Sequence, residues 1–218
     1  MNGNVPFRGR VAIEEIRFAA GVASKPSDVV TLWKAATGGK TVGCLPSTPV
    51  PELPHAAGLL PIALESREDL SLFSGQVNAW LVAADLPSFS ALPVSIPRFA
   101  FPRVPPVGLE EALERIEALA EWVEAVSGSP PSEGGLWKSI RAYAIRRSLL
   151  DALDERITRE SAFLTPEERR DIVRAGIFLP PEAHSRLLSS ILGEPEHAPI
   201  LTEGEKGDPL IVLAKRLM

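Results

Sequence analysis

The stretch GKTVGCLPSTPVPELPHAAGLLPIAL, residues 39–64, decides the fold of this chain. Thr41 to Pro46 is a short apolar run after a glycine pair, which predicts a buried strand. Ser47 to Pro51 predict a turn, whose last proline suits the first position of a short helix that ends at Gly58. Pro61 to Leu64 predict a second strand. The stretch therefore predicts the start of an α/β unit, and ligand sites in open α/β sheets favour the loops at the carboxyl ends of strands.

The rest of the chain predicts mainly helices, because apolar residues recur at helical spacing and capping residues stand at the ends of these patterns. Two helices are expected before the first strand and one after the second. Four more follow in a row as an antiparallel helical layer, and a short one ends the chain. The predicted helices are Val11 to Val22, Asp28 to Ala36 with Ser27 as N-cap, Ser66 to Ala84, Leu109 to Val126 closed by Gly128, Leu136 to Ile157, Pro166 to Gly176 after a Thr165 capping box, Pro181 to Leu192, and Leu210 to Met218.

Prolines crowd the segment between these two halves of the chain. Each proline removes a backbone donor and disfavours helix at the residue before it, so Leu86 to Val107 is predicted to be an extended connector. Apolar side chains lie between the prolines, which predicts that the connector is packed rather than solvated. Two interpretations stay open: a strap across the chain's own sheet, adding one or two strands from Val94 to Val104, or a surface covered by a partner.

The predicted fold class is α/β, with a small, mainly parallel sheet flanked by helices and followed by a helical segment. The sequence predicts an α/β domain over residues 1–107, which includes the proline-rich strap over residues 86–107. A helical region over residues 108–193 follows, and residues 194–218 form a loose tail that carries the short terminal helix.

Composition limits the class of protein and its compartment. A formal net charge of −5 and an isoelectric point near 5.4 argue against a nucleic-acid surface, which is usually basic. One cysteine excludes an internal disulfide, and the sequence has neither a charged-then-apolar leader nor a long apolar span. We therefore expect a cytoplasmic protein that does not insert into membranes.

Several motifs resemble the subunits of the 2-hydroxyacyl-CoA dehydratase and benzoyl-CoA reductase family. In residues 39–64 the matching positions are Val42, Gly43, Ser47, Glu52, Leu53, Ala56, Ala57, Gly58 and Pro61. In the second half they are Leu136, Ile140, Tyr143, Arg147, Leu149, Leu150, Leu164 to Glu168 and Pro180 to Glu182. Asp208 to Leu210 with Ala214 to Arg216 resemble a short motif that stands later in the longer family chains. The resemblance covers most of the chain discontinuously.

The resemblance implies radical chemistry on an acyl-CoA thioester, driven by a cysteine-ligated [4Fe-4S] cluster. Such a cluster needs three or four thiolates, and this chain has one cysteine. Pro46 stands where the family often places a cluster cysteine, and Cys44 lies two positions earlier. We therefore expect no cofactor or metal held by this chain, and a cluster only on a partner subunit.

Four residues are candidates for a remaining acyl-CoA site. Ser47 lies where the family often has a serine near the thioester carbonyl, and Glu65 falls where a substrate-contacting acid can occur, so the resemblance implies catalytic roles for both. Glu52 and His55, in the short helix, join Ser47 as candidate substrate-binding residues. Structural alternatives stay open, with Ser47 as a turn residue and Glu52 and Glu65 as acids near helix N-termini.

Three functional hypotheses follow. The first is a non-redox accessory partner of a cluster-bearing homologous subunit. In this hypothesis the chain assembles either with that subunit or with further copies of itself. The second is a subunit that binds acyl-CoA and takes part in the chemistry through a partner's cluster. The third is a helical interaction scaffold without a ligand. None of the three makes this chain active alone.

Overall fold

The computed structural model describes residues 10–45, 50–64, 66–83, 92–93, 95–102 and 108–193. Within these residues the chain groups into two compact units. One unit contains residues 30–140 and the other contains residues 10–29 with residues 141–193. The predicted domain boundary between residues 107 and 108 stays a prediction.

The predicted fold class is confirmed, since the described residues form a small, all-parallel sheet with helices around it and a helical region after it. The strands are β1 Thr41–Leu45, β2 Leu60–Ala63, β3 Ala79–Ala83 and β4 Arg98–Phe101. The helices are α1 Arg10–Ser24, α2 Pro26–Thr37, α3 Glu52–Ala56, α4 Arg67–Phe73, α5 Leu109–Ser127, α6 Glu133–Arg159, α7 Pro166–Phe178 and α8 Pro181–Leu192.

The sheet has the strand order β2-β1-β3-β4, so the earliest strand lies inside it. Val42 lies opposite Pro61 on one side and Ala79 on the other, and Trp80 lies opposite Arg98. Both central strands, β1 and β3, are buried along their whole length. A parallel strand covered on both faces is apolar throughout, which is why TVGCL and AWLVA show no alternation.

The core of the sheet unit joins the central strands to helices α3, α5 and the start of α6. Phe99 and Phe101 of β4 pack against this core, and the Phe99 ring lies 5.7 Å from the Trp122 ring. The buried members of this core are Val42, Cys44, Val50, Leu53, Leu59, Ala79, Leu81, Ile116, Leu119, Val123, Val126 and Leu136. In its described part, the proline-rich segment therefore packs on the chain's own sheet, as the strap interpretation predicts.

Polar contacts at the amino ends of β1 and β3 tie this sheet to α2. The Lys34 ammonium donates to the carbonyl of Gln76 at 2.6 Å and to Asn78 Oδ1 at 3.0 Å. The buried hydroxyl of Thr41 donates to the same Gln76 carbonyl at 2.6 Å. Burial lowers the pKa of Lys34. These contacts supply hydrogen-bond partners to polar groups at the amino-terminal edge of the sheet. The loops that follow the strands lie at the opposite, carboxyl-terminal edge.

The second unit is helical, and α1 packs against both α7 and α8 in it. Helix α7 begins with the predicted capping box, in which Thr165 and Glu168 each accept a hydrogen bond from the other's backbone N–H. Arg169 binds Asp154 through two hydrogen bonds of 2.8 and 2.9 Å, which lowers the pKa of that carboxyl. Helix α8 ends at Gly193 in the left-handed conformation, as its sequence predicts.

The predicted helix from Ser66 to Ala84 is wrong in its second half. Helix α4 ends at Phe73, a turn containing Gly75 follows, and Ala79–Ala83 form β3. Trp80 and Leu81 fit helical spacing, but they belong to a fully buried apolar run. Periodicity cannot separate such a run from a segment of buried helix. The turn containing Gly75 is therefore the feature that indicates where the helix ends.

Two predicted helix ends also differ from the structure. Ser27 is not an N-cap, because α2 already begins at Pro26, and proline is well suited to a first helical position. Gly176 does not end α7, which continues to Phe178. The His184 ring occupies the space where a Cβ of residue 176 would lie, so this glycine serves packing rather than termination. The predicted terminal helix from Leu210 to Met218 lies outside the described residues.

Candidate functional site

The strand order places a crossover point at the centre of the sheet. From β1 the chain moves to β2 on one side, and it then returns to add β3 on the other side of β1. The carboxyl ends of β1 and β3 are therefore adjacent, with connections that leave in opposite directions. In open α/β sheets ligands bind in the crevice at such a point. This makes the carboxyl edge around β1 the candidate site.

Helix α3 is the described element that follows the loop after β1. It carries two of the predicted substrate-binding residues one turn apart, Glu52 in its first turn and His55 in its last. The Glu52 side chain is buried, with the residue only 8% exposed, whereas His55 is half-buried. A carboxyl-bearing side chain buried to this degree is unusual for a solvated turn.

Ser139 of α6 joins these two residues into one cluster. Its hydroxyl oxygen lies 2.8 Å from Nδ1 of His55, and its O–H group donates to the backbone carbonyl of Glu52 at 2.7 Å. Ser139 is 1% exposed. The close approach of the two helices depends on Gly135, because a Cβ there would lie 2.9 Å from the carbonyl oxygen of Ala56.

The structure therefore brings together Glu52 and His55, and it adds Ser139, which the sequence did not suggest. One signal was present: Ser139 stands at the third position after Leu136 and the fourth before Tyr143, on the apolar stripe of α6. A polar residue on such a stripe must find a partner when it is buried. Ser47 and Glu65, the two predicted catalytic residues, lie outside the described residues.

The only cysteine of the chain, Cys44, lies inside β1 and is 2% exposed. The sequence contains no second cysteine that could join it as a thiolate ligand. Among the described residues, no group of three or more histidine, cysteine, aspartate or glutamate side chains is arranged to hold a metal ion. The donors present do not fit a [4Fe-4S] cluster, which requires three or four thiolates.

His184 is a second buried histidine, and it belongs to the helical unit. Its Nε2 donates to the carbonyl of Ile172 at 2.9 Å, and its Nδ1 has no hydrogen-bond partner among the described residues. Burial, the nearby Arg146 charge and this hydrogen bond together leave the pKa of His184 lowered to about 4. A neutral, enclosed imidazole of this kind is a packing element, and we do not assign it to the site.

The sequence was compared with models of known protein families and with curated proteins. No family model matches the chain. No curated protein matches it either. In the part of the chain that the structure describes, no helix is both long enough and apolar enough to cross a membrane.

Proposed function

We propose that this chain is a non-redox accessory subunit that works with a cluster-bearing partner in acyl-CoA metabolism, like a subunit of the 2-hydroxyacyl-CoA dehydratase and benzoyl-CoA reductase family. The chain supplies an α/β unit with a crossover point, and the partner supplies the [4Fe-4S] cluster and the electron. The assembly is cytoplasmic and either pairs two homologous chains or adds further copies of this one.

One observation carries this proposal: the single cysteine is enclosed in a central strand. Cys44 packs with Val42 and Leu81 in the core, so its thiol is not presented to the crevice at the strand's end. The scaffold motifs of the resemblance, by contrast, coincide with elements that build the crevice, namely β1, α3 and the start of β2. A chain that keeps the scaffold without thiolates at its edge is suited to a partner role.

Co-purification tests the partner role. The tagged chain, prepared without oxygen from its own cells, is expected to retain a second, cysteine-rich chain with similar motifs, because the cluster's ligands must come from elsewhere. Mass spectrometry identifies the retained chain. Recovery of a monomer that holds nothing would remove the proposal and leave the helical scaffold without a ligand as the remaining hypothesis.

A second candidate function is direct binding of acyl-CoA at the loop after β1. The observation that favours it is a hydrogen-bonded cluster in which the buried Ser139 hydroxyl links the His55 ring to the backbone carbonyl of Glu52 in the helix after that loop. In this function the Ser47 hydroxyl donates to the thioester carbonyl, and Glu65 orients the acyl group. The chemistry still depends on the partner's cluster.

Acyl-CoA affinity distinguishes this function from the accessory role. Ser47→Ala removes one hydrogen bond to the ligand, so the dissociation constant is expected to rise about tenfold, which corresponds to about 1.4 kcal/mol. Isothermal titration of the chain with its partner measures this constant. The matched control is Ser71→Ala, at an exposed position of α4, which should leave the affinity unchanged. Equal affinity in all three proteins, or no binding at all, would remove the acyl-CoA-binding function.

A further inference from the structure

We propose that Ser139 is a positioning residue that holds the neutral His55 ring in the tautomer with its hydrogen on Nδ1 and the lone pair on Nε2. The inference rests on the proposed function in one respect only: that function would give this tautomer of His55 a use at the candidate site. Its geometric basis is the hydrogen-bond chain from the His55 ring through the Ser139 hydroxyl to the Glu52 carbonyl.

The donor and acceptor of each of these two hydrogen bonds follow from counting hydrogens. A serine hydroxyl has one hydrogen to donate and can accept through its lone pairs. The Glu52 carbonyl has no hydrogen, so the 2.7 Å contact between it and Ser139 Oγ requires the serine hydrogen. The 2.8 Å contact between Ser139 Oγ and His55 Nδ1 must then use a hydrogen carried by Nδ1.

The opposite assignment fails at the carbonyl. If the serine hydroxyl donated to Nδ1, its oxygen and the Glu52 carbonyl oxygen would face each other at 2.7 Å with no hydrogen between them. Two acceptors at that distance repel, and water cannot supply the missing donor because Ser139 is 1% exposed. Burial therefore enforces the first assignment.

The consequence for His55 holds in both of its charge states. Nδ1 keeps its hydrogen whether the ring is neutral or protonated, because Ser139 needs that hydrogen in either case. Nε2 is then the basic nitrogen of the neutral ring. A histidine in water prefers the other tautomer, with the hydrogen on Nε2, so the effect of Ser139 is measurable.

Nuclear magnetic resonance of the ligand-free chain tests this directly. Two-bond ¹H–¹⁵N correlation separates protonated from unprotonated ring nitrogens, and the chain has only three histidines. The signals that disappear in the spectrum of the His55→Gln variant are those of the His55 ring. At about pH 8.5, where histidines are neutral, the wild-type ring is expected to carry its hydrogen on Nδ1 with a preference of about five- to tenfold. A wild-type His55 with its hydrogen on Nε2 would overturn the inference.

Variants at residue 139 separate positioning from mere packing. Ser139→Ala removes the acceptor, and the ring is expected to revert to the tautomer with hydrogen on Nε2. Ser139→Thr keeps the hydroxyl and should keep the wild-type tautomer. If Ser139→Ala does not fold, Ser139→Cys replaces the hydroxyl with a weak acceptor of similar size and should show the same reversal. Retention of the Nδ1 hydrogen in a folded Ala or Cys variant would overturn the role of Ser139. Because no ligand is present, a failure here is distinct from a failure to bind acyl-CoA.

Discussion

Gly43→Ala is expected to lower the free energy of unfolding by about 1–3 kcal/mol, although alanine is the better residue for an ordinary strand. A Cβ at residue 43 would lie 2.5 Å from a carbon of the Trp80 ring and 3.3 Å from a methyl group of Val77. Trp80 is fully buried, and because protein interiors are close-packed, its ring cannot move without displacing neighbouring side chains. The cost is overpacking between the two central strands, measured by urea denaturation.

Two controls isolate this contact. Gly21→Ala, on the exposed side of α1 with no atom within 4 Å of the new Cβ, is expected to leave stability unchanged or to raise it by about 0.5–1 kcal/mol. The double variant Gly43→Ala with Trp80→Leu should lose less stability than the sum of the single variants, since the smaller side chain frees the space. Additive losses would show that Gly43 is needed for some reason other than the Trp80 ring.

Acidification is expected to destabilise the helical unit through His184. Its pKa is lowered from the ordinary value of 6.5 to about 4. Above pH 6.5 the histidine is neutral in both the folded and the unfolded chain, so its protonation does not reduce the free energy of unfolding. Between pH 6.5 and about 4 only the unfolded chain binds the proton, so stability falls as the pH falls. The difference of about 2.5 in pKa corresponds to a loss of about 3 kcal/mol.

His184→Gln is the matched control for this loss. Its carboxamide can still donate to the Ile172 carbonyl, but it does not titrate. Urea unfolding of both proteins at several values between pH 7 and pH 4 gives two stability curves. The wild-type curve is expected to fall by about 3 kcal/mol more than the variant curve. Parallel curves would contradict the lowered pKa, because they would mean that the folded and unfolded chains bind the His184 proton equally well.

Local patterns predicted much of this fold because they reflect local physics. The glycine at residue 128, the capping box at Thr165 and the apolar stripe of α5 each fix an element end or face through neighbouring residues alone. The strand β3 could not be predicted in this way. Its identity depends on burial against β1 and β4, which are distant in sequence, and a buried strand has the apolar composition of a buried helix.

The candidate site was predictable only in part, for a similar reason. Glu52 and His55 lie within residues 39–64, so the local pattern of turn and helix was sufficient to place them on one element. Ser139 is 84 residues from His55, and their contact depends on the packing of α3 against the start of α6. The polar residue on the apolar stripe indicated that a partner was needed, but it could not indicate which one.

The iron and sulfide content of the anaerobically purified chain, measured alone and in its captured assembly, decides whether the cluster belongs to this chain or to its partner. We expect the isolated chain to hold neither element in stoichiometric amount, since Cys44 is enclosed and is the only cysteine. Iron and sulfide should then appear together with the cysteine-rich partner. Stoichiometric iron and sulfide in the isolated chain would contradict the accessory role, because the chain would then bear a cluster of its own.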